Sequence, residues 1–187
     1  MKSINDGPTL KHWYKVVDKI EQFDLGGLRQ INSKDQALAH AVNEIRKSFE
    51  KYNIEMAFFY SRFYVYTDDY WNEIKDDLIE IFLRDCAKKI YANKINFQTS
   101  SFYKALKDTF RDDLKIIPDT DDDKILLNCS NATLEFNKKG FAQREHNIED
   151  YLTYKLNYDY ENETCPRWDN FLNEMLPDAT HQLLLHQ

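Results

Sequence analysis

Four basic residues near the middle of the chain are spaced so that they could act together: Lys104, Lys107, Arg111 and Lys115. At ~100° per residue they would share one arc of a helix, roughly 80° wide. Apolar residues alternate with them and fill a different arc: Phe102, Leu106, Phe110 and Leu114. The spacing therefore predicts a helix that packs along one face and presents positive charge along another.

A row of cations on a helix has two interpretations. Phosphates of single-stranded or duplex nucleic acid would fit it, through electrostatic contacts that do not depend on base sequence. The alternative is a solvated face that binds nothing, since charge runs are commonly solvent-facing. Asp108 and Asp112 lie among the basic residues and would partly neutralise the row.

The acidic residues do not form a recognisable metal or catalytic motif. Asp119, Asp121 and Asp123 match the start of a calcium loop, but that loop needs Gly at position six and Glu at position twelve. Lys124 and Ser130 occupy those positions. A hydrolase built on the Asp68-Asp69 and Asp76-Asp77 pairs is a third functional hypothesis. We predict no catalytic residue, no metal site and no primase activity.

The composition indicates a folded domain. Hydrophobic residues make up 42% of the 187 positions and aromatic residues 14%, while only four are glycine. The net charge of −7 argues against a protein that coats nucleic acid over its whole surface. Three widely spaced cysteines predict neither zinc nor disulfides, which suits a reducing cytoplasm. The chain has no apolar run of ~18 residues, so we expect no membrane association.

Local patterns predict the elements that would position the basic row. Ser33 and Gln36 form a capping box for a helix that ends near Asn53. Two aromatic strands, Met56 to Tyr60 and Phe63 to Tyr66, flank a turn at Ser61-Arg62. Further helices are predicted at about 73–91, with Ile81 facing inward, and from Ser100 to about Leu114. Pro118 and the acidic run that follows mark a boundary.

We predict an α+β fold, mostly helical, in three parts. Residues 1–32 hold an N-terminal helix and a linker, and residues 33–118 a helical lobe with a small aromatic β-hairpin. Residues 119–187 hold a short β element and a closing helix. The closing helix begins at Cys165-Pro166 and carries an apolar stripe, which would pack internally or dock another domain or subunit: Trp168, Phe171, Leu172 and Met175.

The last third carries an ordered set of motifs. A strand ends in Asn128-Cys129-Ser130-Asn131, a second strand precedes a turn at Gly140, and an aromatic run at Tyr158-Asp159-Tyr160 leads to Cys165-Pro166-Arg167-Trp168. This order resembles the segment of phage and plasmid primase–helicases that lies immediately before their superfamily-three helicase ATPase. A related region occurs in poxvirus primase–helicases. Ala132 and Asn157 stand where that family usually has Gly and Pro.

The resemblance implies a non-catalytic module that guides DNA, single-stranded or forked, and helps to assemble a ring collar. ATP and Mg²⁺ would bind only in a downstream domain, because the chain has no G-x-x-x-x-G-K-[ST] loop. The implied partners are DNA, further copies of the chain and the ATPase domain. A second hypothesis is a protein-interaction or regulatory module that does not bind DNA.

Overall fold

A computed structural model describes residues 31, 33–67, 69–119, 123–138, 140–161 and 166–167. It confirms the α+β class, because the described residues form three α-helices and two antiparallel three-stranded sheets. The predicted helix near the N-terminus and the closing helix with its apolar stripe lie outside the described residues, apart from Pro166 and Arg167. None of the helices among these residues is both long and apolar enough to cross a bilayer.

The chain divides into two compact units. The first unit contains the described residues up to Asp119 together with Ile148–Tyr154, and the second contains 123–147 and the described residues after Tyr154. Residues 148–154 therefore belong to the first unit although they lie between two stretches of the second.

Helix α1 spans Lys34–Tyr52, as the local signals predict. The Ser33 hydroxyl accepts a hydrogen bond from the Gln36 amide at 3.2 Å, and Asn53 ends the helix in a left-handed conformation with φ 52°. Asparagine tolerates that conformation better than most residues, which explains why the helix stops there.

The predicted hairpin is a three-stranded sheet formed by β1 (Met56–Phe59), β2 (Arg62–Thr67) and β3 (Tyr70–Ile74). The first turn lies one residue earlier than predicted, at Tyr60-Ser61, because Phe59 pairs with Arg62. The sequence predicts that a helix begins at about residue 73, but Glu73 and Ile74 instead complete β3 and pair with β2.

Helices α2 (Asp76–Ile90) and α3 (Ser100–Asp113) follow, joined through a short 3₁₀ turn at Ile95–Phe97. The prediction that Ile81 faces inward is wrong, since it is 43% exposed, whereas Ile79 and Leu83 are buried. Thr99 rather than Ser100 caps α3, because its hydroxyl accepts a hydrogen bond from the Phe102 amide at 3.3 Å.

A large apolar core joins the three helices to the sheet in the first unit. One side of the sheet packs with all three helices through fully buried residues such as Ile45, Phe63, Ile79 and Phe110. The other side holds a smaller aromatic cluster around Phe59 and Trp71. The core fixes α2 and α3 side by side, and that arrangement positions the basic residues.

The second unit is an antiparallel meander of β4 (Lys124–Asn128), β5 (Thr133–Asn137) and β6 (Gly140–Arg144). The sequence predicts β4 and β5 but not β6. Gly140 opens β6 with φ 126°, a conformation that favours glycine. Ile125, Phe136 and Phe141 are cross-strand neighbours, and all three are exposed.

Candidate nucleic-acid interface

A groove of about 590 Å³ runs between α2 and α3 in the first unit. Three of the four predicted basic residues line it, namely Lys104, Lys107 and Arg111. The wall opposite them is a stripe of α2 with a spacing of four residues: Asp76, Glu80 and Arg84. Phe58 and Phe63 contribute apolar surface from the sheet. The groove is therefore lined by both signs of charge and by aromatic rings.

Lys107 is held by carboxylates from the facing helix. Its Nζ lies 2.8 Å from Asp76 Oδ2 and 2.9 Å from Glu80 Oε1. Partial burial disfavours the ammonium form, but the hydrogen bonds and negative charges of Asp76 and Glu80 together outweigh that effect and raise the pKa of Lys107. Lys107 thus links α2 to α3 as a charged residue, and a phosphate would have to compete with two carboxylates for it.

Arg111 is neutralised by its own helix. Its Nη1 lies 3.1 Å from Asp108 Oδ1, and its Nη2 lies 3.1 Å from Asp112 Oδ1. The neutralisation by Asp108 and Asp112 that the sequence suggested is therefore present at this position. Exposed pairs of this kind contribute little to stability, about 0–1 kcal/mol, and exchange readily with solvent or ligand ions.

Lys115 does not lie on the helical face predicted for it, because α3 ends at Asp113. Residues 114–116 instead pair with the edge of β1. The Phe58 amide donates to Leu114 O at 2.9 Å, and the Ile116 amide donates to Phe58 O at 3.0 Å. The side chain of Lys115 is exposed beside this short parallel bridge.

Lys104 and Arg84 differ from the paired cations. Both are exposed, both line the groove, and neither forms an ion pair within the part of the chain that the structure describes. Sequence reasoning missed Arg84. The signal that could have found it is the spacing of Asp76, Glu80 and Arg84, which places them on one face of α2.

The Asn128–Asn131 motif has a structural role in the second unit. The Leu156 amide donates to Asn128 O at 2.8 Å, and the Ser130 hydroxyl donates to Leu156 O at 3.0 Å. Asn131 exchanges hydrogen bonds with the backbone of Tyr160 through both ends of its amide, at 2.8 and 3.0 Å. The motif therefore fastens residues 156–160 beside the meander.

The buried start of this motif is a polar cluster. Asn128 and Thr133 are fully buried. The Asn128 Oδ1 atom accepts from the Thr133 hydroxyl at 3.3 Å and from His146 Nδ1 at 2.8 Å. These hydrogen bonds satisfy the buried Asn128 side-chain carbonyl oxygen, which gives Asn128 a structural role in the unit.

The proposed docking residues Trp168, Phe171, Leu172 and Met175 lie outside the described residues. The described part of the chain contains no group of three or more His, Cys, Asp or Glu side chains arranged to hold a metal ion. Asp76, one of the acidic residues considered for hydrolysis, is paired with Lys107.

Comparison with known proteins agrees with the motifs of the last third. The sequence profile described as "D5 N terminal like" matches residues 30–177, which is most of the chain. A search of curated proteins gave no match. The matched domain is an N-terminal region of primase–helicase-type proteins of phages and plasmids, which confirms the resemblance at the level of the family. The chain belongs to the D5 N terminal like family.

Proposed function

We propose that this chain is a non-catalytic module of a DNA-replication primase–helicase, located immediately before the ATPase. In this proposal it guides DNA and contributes to ring assembly, while ATP and Mg²⁺ act in another domain. Membership of the D5 N terminal like family supports the replication role. The contribution to ring assembly would involve the stripe from Trp168 to Met175 and rests on the resemblance alone.

The observation that carries the DNA-binding part is that Lys104, Lys107 and Arg111 line one groove. Lys104 has no competing carboxylate partner among the described residues, and Lys115 likewise is exposed without one. Contacts of this type recognise phosphate and carry no base-sequence information. The net charge of −7 means that binding would be local to this region.

The test is fluorescence anisotropy with labelled single-stranded and forked DNA of mixed sequence, titrated at several NaCl concentrations. We expect affinity to fall steeply with salt. The double variant Lys104→Gln/Lys115→Gln should weaken binding and reduce the salt slope for single strands by about 1.4, that is ~0.7 for each lost phosphate contact.

A matched control replaces two lysines of α1, away from the groove, in the double variant Lys47→Gln/Lys51→Gln. Both double variants lose the same formal charge, so a purely global effect of charge would change them equally. Equal affinity and salt slope for the wild type and the Lys104/Lys115 variant would contradict the proposed role of these lysines.

A protein-interaction module is the second candidate, and a specific observation favours it. Ile125, Phe136 and Phe141 are 71%, 41% and 47% exposed and adjacent across three strands. Contiguous exposed apolar residues commonly mark contacts with other proteins. If the wild type binds neither single-stranded nor forked DNA at low salt, this candidate becomes the better explanation.

A further inference from the structure

The groove between α2 and α3 has two ends of different electrostatic character. At one end, Lys107 contacts Asp76 and Glu80 at 2.8 and 2.9 Å, so cation and carboxylates neutralise one another. Arg84 lies two helical turns beyond Asp76 on the same stripe of α2, and therefore toward the other end. Arg84 and Lys104 line the groove and form no ion pair among the described residues, whereas the nearby carboxylates of Asp85 and Asp108 are paired with Lys88 and Arg111.

The neighbours of Arg84 identify which part of α3 it faces. Burial is the largest effect on the Tyr103 phenol and raises its pKa; the positive charge of Arg84 opposes this shift, and the carboxylate of Asp85 adds to it. Tyr103 and Lys104 are consecutive on α3 and line the same groove as Arg84. Arg84 and Lys104 thus approach one space from two helices that the apolar core holds in place.

The side chains in this space suit a phosphate group. A guanidinium can donate two parallel hydrogen bonds to phosphate oxygens, and an ammonium adds a compact positive charge. Ser100 and Tyr103 also line the groove and carry hydroxyl groups that can donate hydrogen bonds. Carboxylates, in contrast, surround Lys107 and Arg111.

We infer that Arg84 and Lys104, with the hydroxyls of Ser100 and Tyr103, form a phosphate-binding site at this end of the groove. The inference deepens the proposed function and rests on it where the phosphate belongs to a DNA strand. It adds Arg84 as a binding residue and assigns the facing stripe of α2, not α3 alone, to the interface. The same chemistry would accept the phosphates of a free nucleotide, so the test has two arms.

In the first arm, a fluorescein-labelled single strand of mixed sequence is titrated with wild type, Arg84→Gln, Arg84→Lys and Lys104→Gln. We expect Arg84→Gln and Lys104→Gln each to weaken binding about tenfold at low salt and to reduce the salt slope by about 0.7. Arg84→Lys should have the wild-type salt slope but only part of the wild-type affinity, because lysine cannot form the bidentate contact. Lys51→Gln is the control, with thermal melting of every variant to verify folding.

In the second arm, binding of ATP to the same proteins is measured by calorimetry. Strand binding that depends on Arg84, with no such dependence for ATP, identifies a site for the DNA backbone. If ATP binding depends on Arg84 and the strand does not bind, the site is one for a nucleotide phosphate. The proposal of DNA binding would then be wrong, while the phosphate-binding site would stand. If the folded Arg84→Gln and Lys104→Gln proteins bind both the strand and ATP with wild-type affinity, the proposed phosphate-binding site is wrong. Salt-dependent binding of the strand would in that case still support the proposed function.

Discussion

At the scale of single residues, the contact between His40 and Tyr91 makes stability depend on pH. The Tyr91 hydroxyl donates to Ala37 O at 2.6 Å, so its oxygen accepts from His40 Nδ1 at 3.2 Å. Burial lowers the pKa of His40 below its ordinary value of 6.5; Glu44 opposes this shift and Lys47 adds to it. The folded protein therefore favours the neutral imidazole.

The consequence is that acid should destabilise the fold through His40. The unfolded chain takes up the proton first, so stability is lost as pH falls from about 6.5 through the lower pKa of the folded state. We expect the free energy of unfolding, measured with urea between pH 7.5 and 5.5, to decrease more for wild type than for His40→Gln. Other titrating groups are common to both proteins. Parallel pH profiles would show that His40 is not responsible.

The sequence predicts the structural roles of residues whose partners are close in the chain. It does not predict the roles of residues whose partners are distant in the chain. The Ser33 hydroxyl caps α1 by accepting from the Gln36 amide, and Asn53 ends the helix, as local rules require. The partners of Lys107, in contrast, lie on another helix, 31 and 27 residues earlier in the chain. Spacing along α3 shows that Lys107 is basic and shares a face with Lys104, but only the packing of α2 shows that it is paired.

At the scale of elements, the turn between β1 and β2 holds two non-glycine residues in the left-handed region, Tyr60 with φ 48° and Ser61 with φ 61°. Two-residue hairpin turns of this kind favour Asn-Gly because both central residues need positive φ. Each residue other than Gly, Asn or Asp in this region costs ~1–2 kcal/mol. The turn is therefore a place where the sequence is not optimal for stability.

Replacing Ser61 by glycine should stabilise the protein. The relief of steric cost exceeds the extra entropy of glycine in the unfolded chain, so we expect a gain of about 0.5–1 kcal/mol. The urea midpoint at constant m-value measures it. Ser61→Ala is the matched control, because it removes the hydroxyl but keeps Cβ and should bring no gain. A lower midpoint for Ser61→Gly than for Ser61→Ala would contradict the account of the turn.

The elements that the sequence did not predict are strand residues, which are defined by hydrogen-bonded pairing with a neighbouring strand and not by local pattern. Glu73 favours helices in general, but in β3 it pairs across the sheet with Tyr64 and forms an ion pair with Arg62. Strand β6 begins at Gly140, and its apolar and polar residues alternate only weakly, so its sequence gives little strand signal. The three helices among the described residues were predicted from apolar spacing, which is local; the errors lay at their ends and in the inward position given to Ile81.

At the scale of the whole molecule, the chain leaves the first unit after Asp119 and returns to it at Ile148–Tyr154. The returning segment binds β3 at Trp71. The Trp71 amide donates to Leu152 O at 2.8 Å, and its indole Nε1 donates to Ile148 O at 2.9 Å. Tyr151 stacks on the indole, with ring centroids 6.0 Å apart and an interplanar angle of 11°.

The returning segment should therefore stabilise the first unit, and two shortened chains test this. Chains 1–147 and 1–154 both lack residues 155–187 and differ only in the segment that contacts Trp71. Each hydrogen bond contributes ~1 kcal/mol and each aromatic contact ~0.5–1.5 kcal/mol, so we expect 1–147 to be less stable by on the order of 2–4 kcal/mol. Thermal unfolding followed by circular dichroism measures the difference.

Tryptophan fluorescence provides the matching readout for the same pair. Trp168 is absent from both shortened chains and Trp13 is present in both, so a difference in emission between them reports on Trp71. Removal of residues 148–154 should expose the indole and shift its emission to the red in 1–147 only. Equal thermal midpoints and equal emission would mean that the first unit is stable without the returning segment, and that residues 148–154 contribute no binding energy to it.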